Sequence, residues 1–388
     1  MKKILFIFTA RTSDDRSAWS GTMNRSFMAL QRAGYEVDYL CAVRDTKNTI
    51  VDKLWWEYWR RIPKMLGKNI RCDETFYSVK IFGETLHAVD YSVYDFVFIP
   101  TNIAIVNALP KNITAKLVHL VDATVDSLFE YYSEFSNLLW HNYKEAHILG
   151  KRAFRRSDLL IASSDWCRSN AIRDYGVNPD KIAVIEFGAN LNSDDIPAVP
   201  RSLDSKSQLN IYWSGVNWER KGGDIALACC DALIGRGHNI KLHVTGIRKE
   251  DPLTSHLESL DYVENYGFLN KNKPEEYNQL IHVMENMDIF LFPSKAECSS
   301  IALCEANGFA LPCFVYDTGG TGNYVVNGEN GYMLPLSADG VDFADRIESC
   351  INNKELDKLS LGAARRYSRL LNWDTWSERV KTAIESVF

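Results

Sequence analysis

Nine short apolar runs set the terms for this sequence: Ile4–Phe8, Phe96–Ile99, Leu117–Val121, Leu159–Ala162, Ile182–Phe187, Ile211–Trp213, Ile240–Val244, Ile289–Phe292 and Pro312–Val315. Helix-like stretches separate many of them, and that alternation predicts βα units whose parallel strands are buried on both faces. A chain of 388 residues exceeds what one hydrophobic core usually organises. The expectation is an α/β protein with two Rossmann-like sheets. Gly188–Gln208, rich in Asn, Asp, Ser and Pro and weak in periodicity, reads as the linker between them. The predicted lobes are therefore 1–195 and 205–367, leaving 368–388 as a final segment.

Bulk properties remove several functions. The net charge of −6 argues against nucleic-acid binding, which calls for a basic balance. Nine cysteines are scattered without a C-x-x-C spacing, so neither a disulfide framework nor a zinc site is expected. The opening MKKILFIFTA breaks off at Thr9 and reads as a first buried strand rather than a signal peptide. No run approaches the ~18 apolar residues of a spanning helix. The expected location is the cytoplasm, with the inner face of a membrane as an alternative.

After the first run comes a polar loop, ARTSDDRSAWSG, and then TMNRSFMALQRAG, in which Met23, Phe27 and Leu30 share a helical face and Gly34 supplies a stop. Ser20 or Thr22 is the expected cap. The amino end of such a helix, at the carboxyl edge of a parallel sheet, favours anions, although a plain surface turn fits the same residues.

The segment richest in chemistry is IFLFPSKAECSSIALCEANGFALPCFVYDTGG. A strand Ile289–Phe292 ends at Pro293, a polar loop carries Glu297, Ser299 or Ser300 caps a helix, and Glu305 lies about one and a half turns inside it. Alone, two glutamates at that spacing also describe a solvated helix face.

This segment resembles the E-x7-E region of retaining family-four glycosyltransferases of the GT-B fold. SGVNWERKGGDIAL, VENYGFLNKNKPEEYNQLIHVMENMDIFLFPS, YVVNGENGYML, LLIASSDWCRSNAIRDYGVNPDKIAVIEFGAN and VHLVDAT are similar, in order, to further passages of that family. The resemblance implies a retaining transferase that carries a sugar from a nucleotide-diphosphate donor, UDP- or GDP-linked, to a glycan or lipid-linked acceptor. The donor would occupy the cleft between the lobes, and Trp373–Phe388 would form a helix crossing back onto the amino-terminal lobe.

Carried over position by position, Lys221 would hold the donor diphosphate with Arg220 beside it, Glu305 would accept from the ribose hydroxyls, and Glu297 would contact the donor sugar. Gly215, Phe268 in the base-side loop, and Cys298, Ser299 and Ser300 would complete the donor contacts. Gly21 would face the diphosphate and Asp122 the reacting carbon. Fixed cations and amides are what a departing diphosphate needs. No D-x-D motif occurs, and the resemblance is to metal-independent enzymes, so no metal or other cofactor is expected. One departure stands out: the family places arginine after the glycine corresponding to Gly215, and here Val216 follows. Arg220, beside Lys221, is the expected replacement. That leaves open a catalytically impaired homologue that only binds nucleotide sugar, and a nucleotide-sugar epimerase or phosphorylase is a further alternative.

Two features outside this constellation carry expectations. Lys53–Lys68, KLWWEYWRRIPKMLGK, puts Leu54, Trp55, Tyr58, Trp59 and Ile62 on one helical side amid basic residues, which suits either an anionic membrane or core packing, with Pro63 cutting the helix short. His119, just ahead of VDAT, reads either as an acid or base near the acceptor or, within its apolar strand-like run, as a hydrogen-bonded core histidine, which is the expectation.

Overall fold

The computed structural model describes residues 1–42 and 49–388. Contacts divide the chain into two compact units: Met1–Ala18, Met23–Ile185 and Ser377–Phe388 form the amino-terminal unit, and Trp19–Thr22 with Glu186–Trp376 form the carboxyl-terminal unit.

The amino-terminal unit holds a six-stranded sheet of β1 (Lys3–Phe8), β2 (Glu36–Cys41), β3 (Phe96–Pro100), β4 (Lys116–Val121), β5 (Leu159–Ala162) and β6 (Ile182–Val184), ordered β2-β1-β3-β4-β5-β6. Every pairing in it is parallel. The carboxyl-terminal unit repeats the scheme with β7 (Leu209–Ser214), β8 (Ile240–Thr245), β9 (Val263–Asn265), β10 (Ile289–Phe292), β11 (Cys313–Tyr316) and β12 (Gly331–Leu334), ordered β12-β11-β10-β7-β8-β9. Its pairings are parallel too. The central strands are buried from end to end because helices cover both faces, which is why they read as unbroken apolar runs.

All nine runs lie on strands, with small shifts at the ends. The run Ile182–Phe187 yields only a three-residue β6, since Glu186 and Phe187 already belong to the other unit. Gly188–Gln208 is not a loose connector. Ala198 N–H donates to the Gly308 carbonyl at 2.9 Å, and the Arg201 guanidinium bonds the carbonyls of Phe309, Glu285 and Met284. These bonds hold the segment to the carboxyl-terminal unit, so the division falls at Ile185/Glu186, ahead of the expected boundary.

The helix Thr22–Arg32 takes up Thr22 itself, so that residue is not its cap. Trp19, Ser20 and Gly21 before it all have positive φ. Asn190 holds this turn by donating to the Ser20 carbonyl at 2.8 Å and the Thr22 hydroxyl at 3.0 Å, while accepting from Trp373 Nε1 at 3.0 Å. His119 on β4 is fully buried, edge-on to Phe154, and neither ring nitrogen is hydrogen-bonded. The expected partner is missing because the sheet interior around it is apolar. Burial pushes its pKa down to about 4, opposed only by the Thr101 backbone.

Candidate donor site at the carboxyl edge of the second sheet

In the second sheet the strand order reverses between β7 and β10, which pair directly through Ile289↔Ile211 and Phe290↔Tyr212. Loops leaving two such strands run apart and open a crevice at their carboxyl ends, where open α/β sheets take ligands. Both segments singled out in the sequence leave the sheet there.

The loop after β7 is a compact turn. Arg220 N–H donates to Asn217 Oδ1 at 2.9 Å and Lys221 N–H to the Asn217 carbonyl at 3.0 Å, while Trp213 Nε1 binds the Lys221 carbonyl at 3.1 Å. Gly222 has φ 68°, and a Cβ there would stand 2.1 Å from the Pro293 carbonyl oxygen. Only glycine lets the two loops close on each other at that point.

The loop after β10 comes to meet it. Lys295 N–H donates to the Arg220 carbonyl at 2.8 Å, and Arg220 Nη1 donates to the Ala296 carbonyl at 2.9 Å. Glu297, 4% exposed, is the centre of the cluster. Its Oε1 accepts from Lys221 Nζ, from Ser294 Oγ at 2.6 Å and from Arg220 Nη1 at 3.4 Å. Its carbonyl takes the Gly320 N–H at 2.9 Å. Lys221 Nζ also stands 4.6 Å from the centroid of the Phe292 ring. Burial holds the Lys221 ammonium below its ordinary pKa; Glu297 pulls it back up and Arg220 pushes it further down. Two cationic side chains thus converge on one buried carboxylate oxygen.

Glu305 sits on the helix Ile301–Gly308, which Ser300 caps by accepting from Leu303 N–H. Its Oε1 is bound by Lys271 Nζ, from the segment between β9 and the helix Pro274–Glu285. Sequence reasoning did not single out Lys271, Ser294 or Asn190. A lysine in a polar loop and a serine after a proline carry no distinguishing pattern, and only the folded positions show what they bind.

The remaining expected residues are distributed as follows. Gly215 packs against Lys221, whose Cγ would lie 2.7 Å from a Cβ at that glycine. Val216 is 66% exposed. Cys298 is buried ahead of the capped helix, and Ser299 is hydrogen-bonded to Tyr324. Phe268 is partly exposed with the Arg248 guanidinium 4.9 Å from its ring centroid. Gly21 lies in the strained turn held by Asn190, and Asp122 follows β4 in the amino-terminal unit, where its charge raises the buried Cys167 thiol further. The cluster itself is thus built from carboxyl-terminal residues alone. Among the described residues no group of three or more His, Cys, Asp or Glu side chains is arranged to hold a metal ion.

Two family models match the chain: "Glycosyltransferase Family 4" over residues 28–193 and "Glycosyl transferases group 1" over residues 201–365. Both models describe glycosyltransferase domains, one over each half of the chain, and the chain has the two-sheet GT-B fold. A D-inositol 3-phosphate glycosyltransferase of Rhodococcus jostii is 25% identical over 234 residues, 56% of this chain and 50% of that protein. The chain spans about half the length of the curated relatives it matches first. Among solved structures, sucrose-phosphate synthase of Thermosynechococcus elongatus superposes with a TM-score of 0.66 at 15% identity, covering 100% of this chain and 99% of that one. HepE of Anabaena in complex with UDP and glucose gives a TM-score of 0.62 at 17% identity, with 100% of both chains covered. These two likenesses establish the GT-B architecture.

Proposed function

We propose that this GT-B protein transfers a sugar from a nucleoside-diphosphate donor to a glycan or lipid-linked acceptor, with retention of anomeric configuration. The observation that carries the reading is the Arg220–Lys221–Glu297 cluster at the point where the order of the second sheet reverses. Breaking the sugar–phosphate bond places negative charge on the diphosphate, and two cations already fixed in a buried crevice stabilise that charge without reorganising. Arg220 takes the part usually given to an arginine next to Gly215, since its guanidinium already points into the cluster. Glu297 holds both cations and offers its carboxylate to the donor sugar. Glu305 accepts from the ribose.

In this reading the departing phosphate takes the acceptor's proton, and Lys221 with Arg220 supplies the charge neutralisation that other transferases draw from a divalent cation. The UDP and glucose in the Anabaena structure support a UDP-linked donor. A lipid-linked acceptor fits the helix Ile50–Met65, whose solvent side carries Ile50, Val51, Leu54 and Met65 beside Lys53, Arg60, Arg61 and Lys64. No helix among the described residues is long and apolar enough to cross a membrane.

A thermal-shift titration with UDP, GDP and ADP tests the proposal. One of them is expected to raise the melting midpoint of the native chain and to leave Lys221→Ala and Glu305→Ala unmoved. A native chain that responds to none, or variants that respond equally, would overturn the site.

A further inference from the structure

The turn 326–330 leads into β12 and lies against the helix Leu356–Arg369. Gly362 allows the approach, since a Cβ there would stand 1.8 Å from the Glu329 carbonyl oxygen. Beside this contact opens a cavity of about 510 Å³, lined by Lys358, Arg365, Arg366 and Arg369, with Glu329 the acid among them. Its size suits a small organic ligand better than a single ion. Every strand pairing in this sheet is parallel, so the turn entering β12 is at the amino edge, whereas the donor cluster follows the carboxyl ends of β7 and β10.

The cations of the cavity are largely uncommitted. Arg366 Nη2 donates to the Asn323 carbonyl at 2.5 Å and its Nη1 meets Glu329 Oε1 at 3.5 Å, but its Nε is buried without a hydrogen-bond partner. The side chains of Lys358, Arg365 and Arg369 make no ion pair or hydrogen bond with a described residue. Acids of the same stretch are bonded elsewhere: Asp357 accepts from the Leu203 and Asp204 N–H groups, and Glu355 from the Tyr332 hydroxyl at 2.9 Å. Helix stability does not explain the grouping. Arg365 and Arg369, one turn apart, repel each other. The helix dipole favours Arg366 and Arg369 in the last turn but disfavours Lys358 in the first.

We propose that this cavity binds a small soluble molecule carrying two phosphate groups, of the class of the sugar bisphosphates. Arg365, Arg366 and Arg369 lie close together at one end, where forked N–H donors suit a phosphate. Lys358 lies seven residues before Arg365, about 10 Å along the helix axis, where it meets the second phosphate. Leu361, between them, gives the carbon body an apolar wall. The site stands apart from the donor cluster and does not depend on the reading given there.

Calorimetric titration of the full chain with fructose 1,6-bisphosphate and with inorganic phosphate tests the proposal. The native chain should bind the bisphosphate at least about tenfold more tightly, and Lys358→Gln should remove most of that difference. Arg365→Gln combined with Arg369→Gln should weaken the bisphosphate by about tenfold to a hundredfold, as the loss of charge-assisted hydrogen bonds implies. The melting midpoint should not move, because both side chains are exposed and unpaired. Lys111→Gln with Lys381→Gln removes the same charge from exposed positions outside the cavity and should change affinity by less than about twofold. Lys221→Ala should leave it unchanged as well. No binding of the bisphosphate, or phosphate bound as tightly, would overturn the inference. So would equal weakening by the Lys111 and Lys381 pair, which marks a diffuse field, or a loss that follows Lys221, which places the probe in the donor cluster. Vesicles of phosphatidylglycerol retained through Arg365 and Arg369 by a chain that ignores the bisphosphate would overturn it in favour of a membrane.

Discussion

Lys221 and Glu297 come from loops that leave adjacent strands, and the ammonium of the first is bonded to Oε1 of the second. Ser294 and Arg220 converge on the same oxygen. Both β7 and β10 must be in register to bring this about, so the ion pair is a product of the second sheet as a whole. Glu297 draws both cations to one point, at the carboxyl ends of the two strands.

Lys221→Ala removes the principal partner of a buried carboxylate. Transfer activity should fall by about 10²–10³, the cost of losing one preorganised charge-stabilising donor. The fold should lose on the order of 1–3 kcal/mol, since Glu297 keeps Ser294 and Arg220. Pairing the variant with Glu297→Gln in a double-mutant cycle, read by denaturant unfolding and turnover, checks both figures. Because burial holds the Lys221 ammonium below 10.5, donor affinity in the native chain should be lost, as pH rises, below that value. Lys221→Arg should move that loss to higher pH.

Two glycines of the same loop should fail in different ways when changed to alanine. At Gly222 a Cβ meets backbone, the Pro293 carbonyl oxygen at 2.1 Å, in a conformation with φ 68° that alanine resists. Gly222→Ala should therefore destabilise the unit by several kcal/mol, since neither loop can yield without breaking its turn. At Gly215 the obstruction is side chain, Lys221 Cγ at 2.7 Å and Cβ at 3.0 Å and the buried Trp213 at 3.1 Å, and relieving it moves Lys221 off Glu297. Gly215→Ala should cost no more than the loss of the Lys221–Glu297 pair, on the order of 1–3 kcal/mol, and lose most of its transfer rate. Melting curves beside turnover numbers separate the two outcomes; equal loss of stability in both would refute the distinction.

What was legible in the sequence follows from burial. Strands covered on both faces, such as β3, β5, β10 and β11, show as apolar runs, and all were found. The three strands that escaped, β2, β9 and β12, include both edges of the second sheet and one edge of the first, and their residues are mostly half-exposed. An edge strand such as EVDYLC needs no apolar run, so none appears. In the candidate site, Lys221, Glu297 and Glu305 were named from family resemblance, and the fold joins the first two in one cluster. Lys271 was not, because its partner lies 34 residues away and only the turn held by Asn270 brings it within reach.

His119 gives stability an acid limit. In the fold its imidazole is neutral, with a pKa pushed down to about 4 by burial, whereas in the unfolded chain it titrates near 6.5. The unfolded state therefore binds the extra proton between those values. The stability contributed by the neutral ring is complete above pH 6.5 and is lost as pH falls toward 4, by on the order of 3 kcal/mol in full. His243, also pushed down to about 4 by burial, adds a loss of the same sign in the same window. Denaturant midpoints measured from pH 7.5 to 4.5 should decline steeply in the native chain and less steeply in His119→Leu. That variant should be no less stable at neutral pH, as its two ring nitrogens leave without breaking a hydrogen bond. A parallel decline in both chains would show that His119 titrates normally.

The helix Ile50–Met65 divides its aromatic residues in a way that changes the membrane reading. Trp55, Tyr58 and Trp59 were expected to share one side with Leu54, but Trp59 is buried with Tyr77 and Ile81, Trp55 stacks on Tyr77, and Tyr58 bonds His141. Pro63 lies two residues before the end of the helix and so does not shorten it by more than its last turn. The side left to solvent carries Ile50, Val51, Leu54 and Met65, flanked by Lys53, Arg60, Arg61 and Lys64, with Glu57 as the one acid among them. An apolar strip bordered by cations is suited to an anionic bilayer surface, where each basic residue near the headgroups contributes about 1 kcal/mol. Flotation with vesicles containing phosphatidylglycerol should carry the native chain upward at low salt, and neutral vesicles should not. Leu54→Glu, which places a carboxylate inside the strip, and the pair Arg60→Glu with Lys64→Glu should each abolish flotation while leaving the melting midpoint unchanged, because all three side chains are exposed. By contrast Trp59→Ala should lower the midpoint by about 3 kcal/mol of stability or more through the cavity it leaves. If Leu54→Glu floats as well as the native chain, the strip does not meet the bilayer, and its exposure has some other cause.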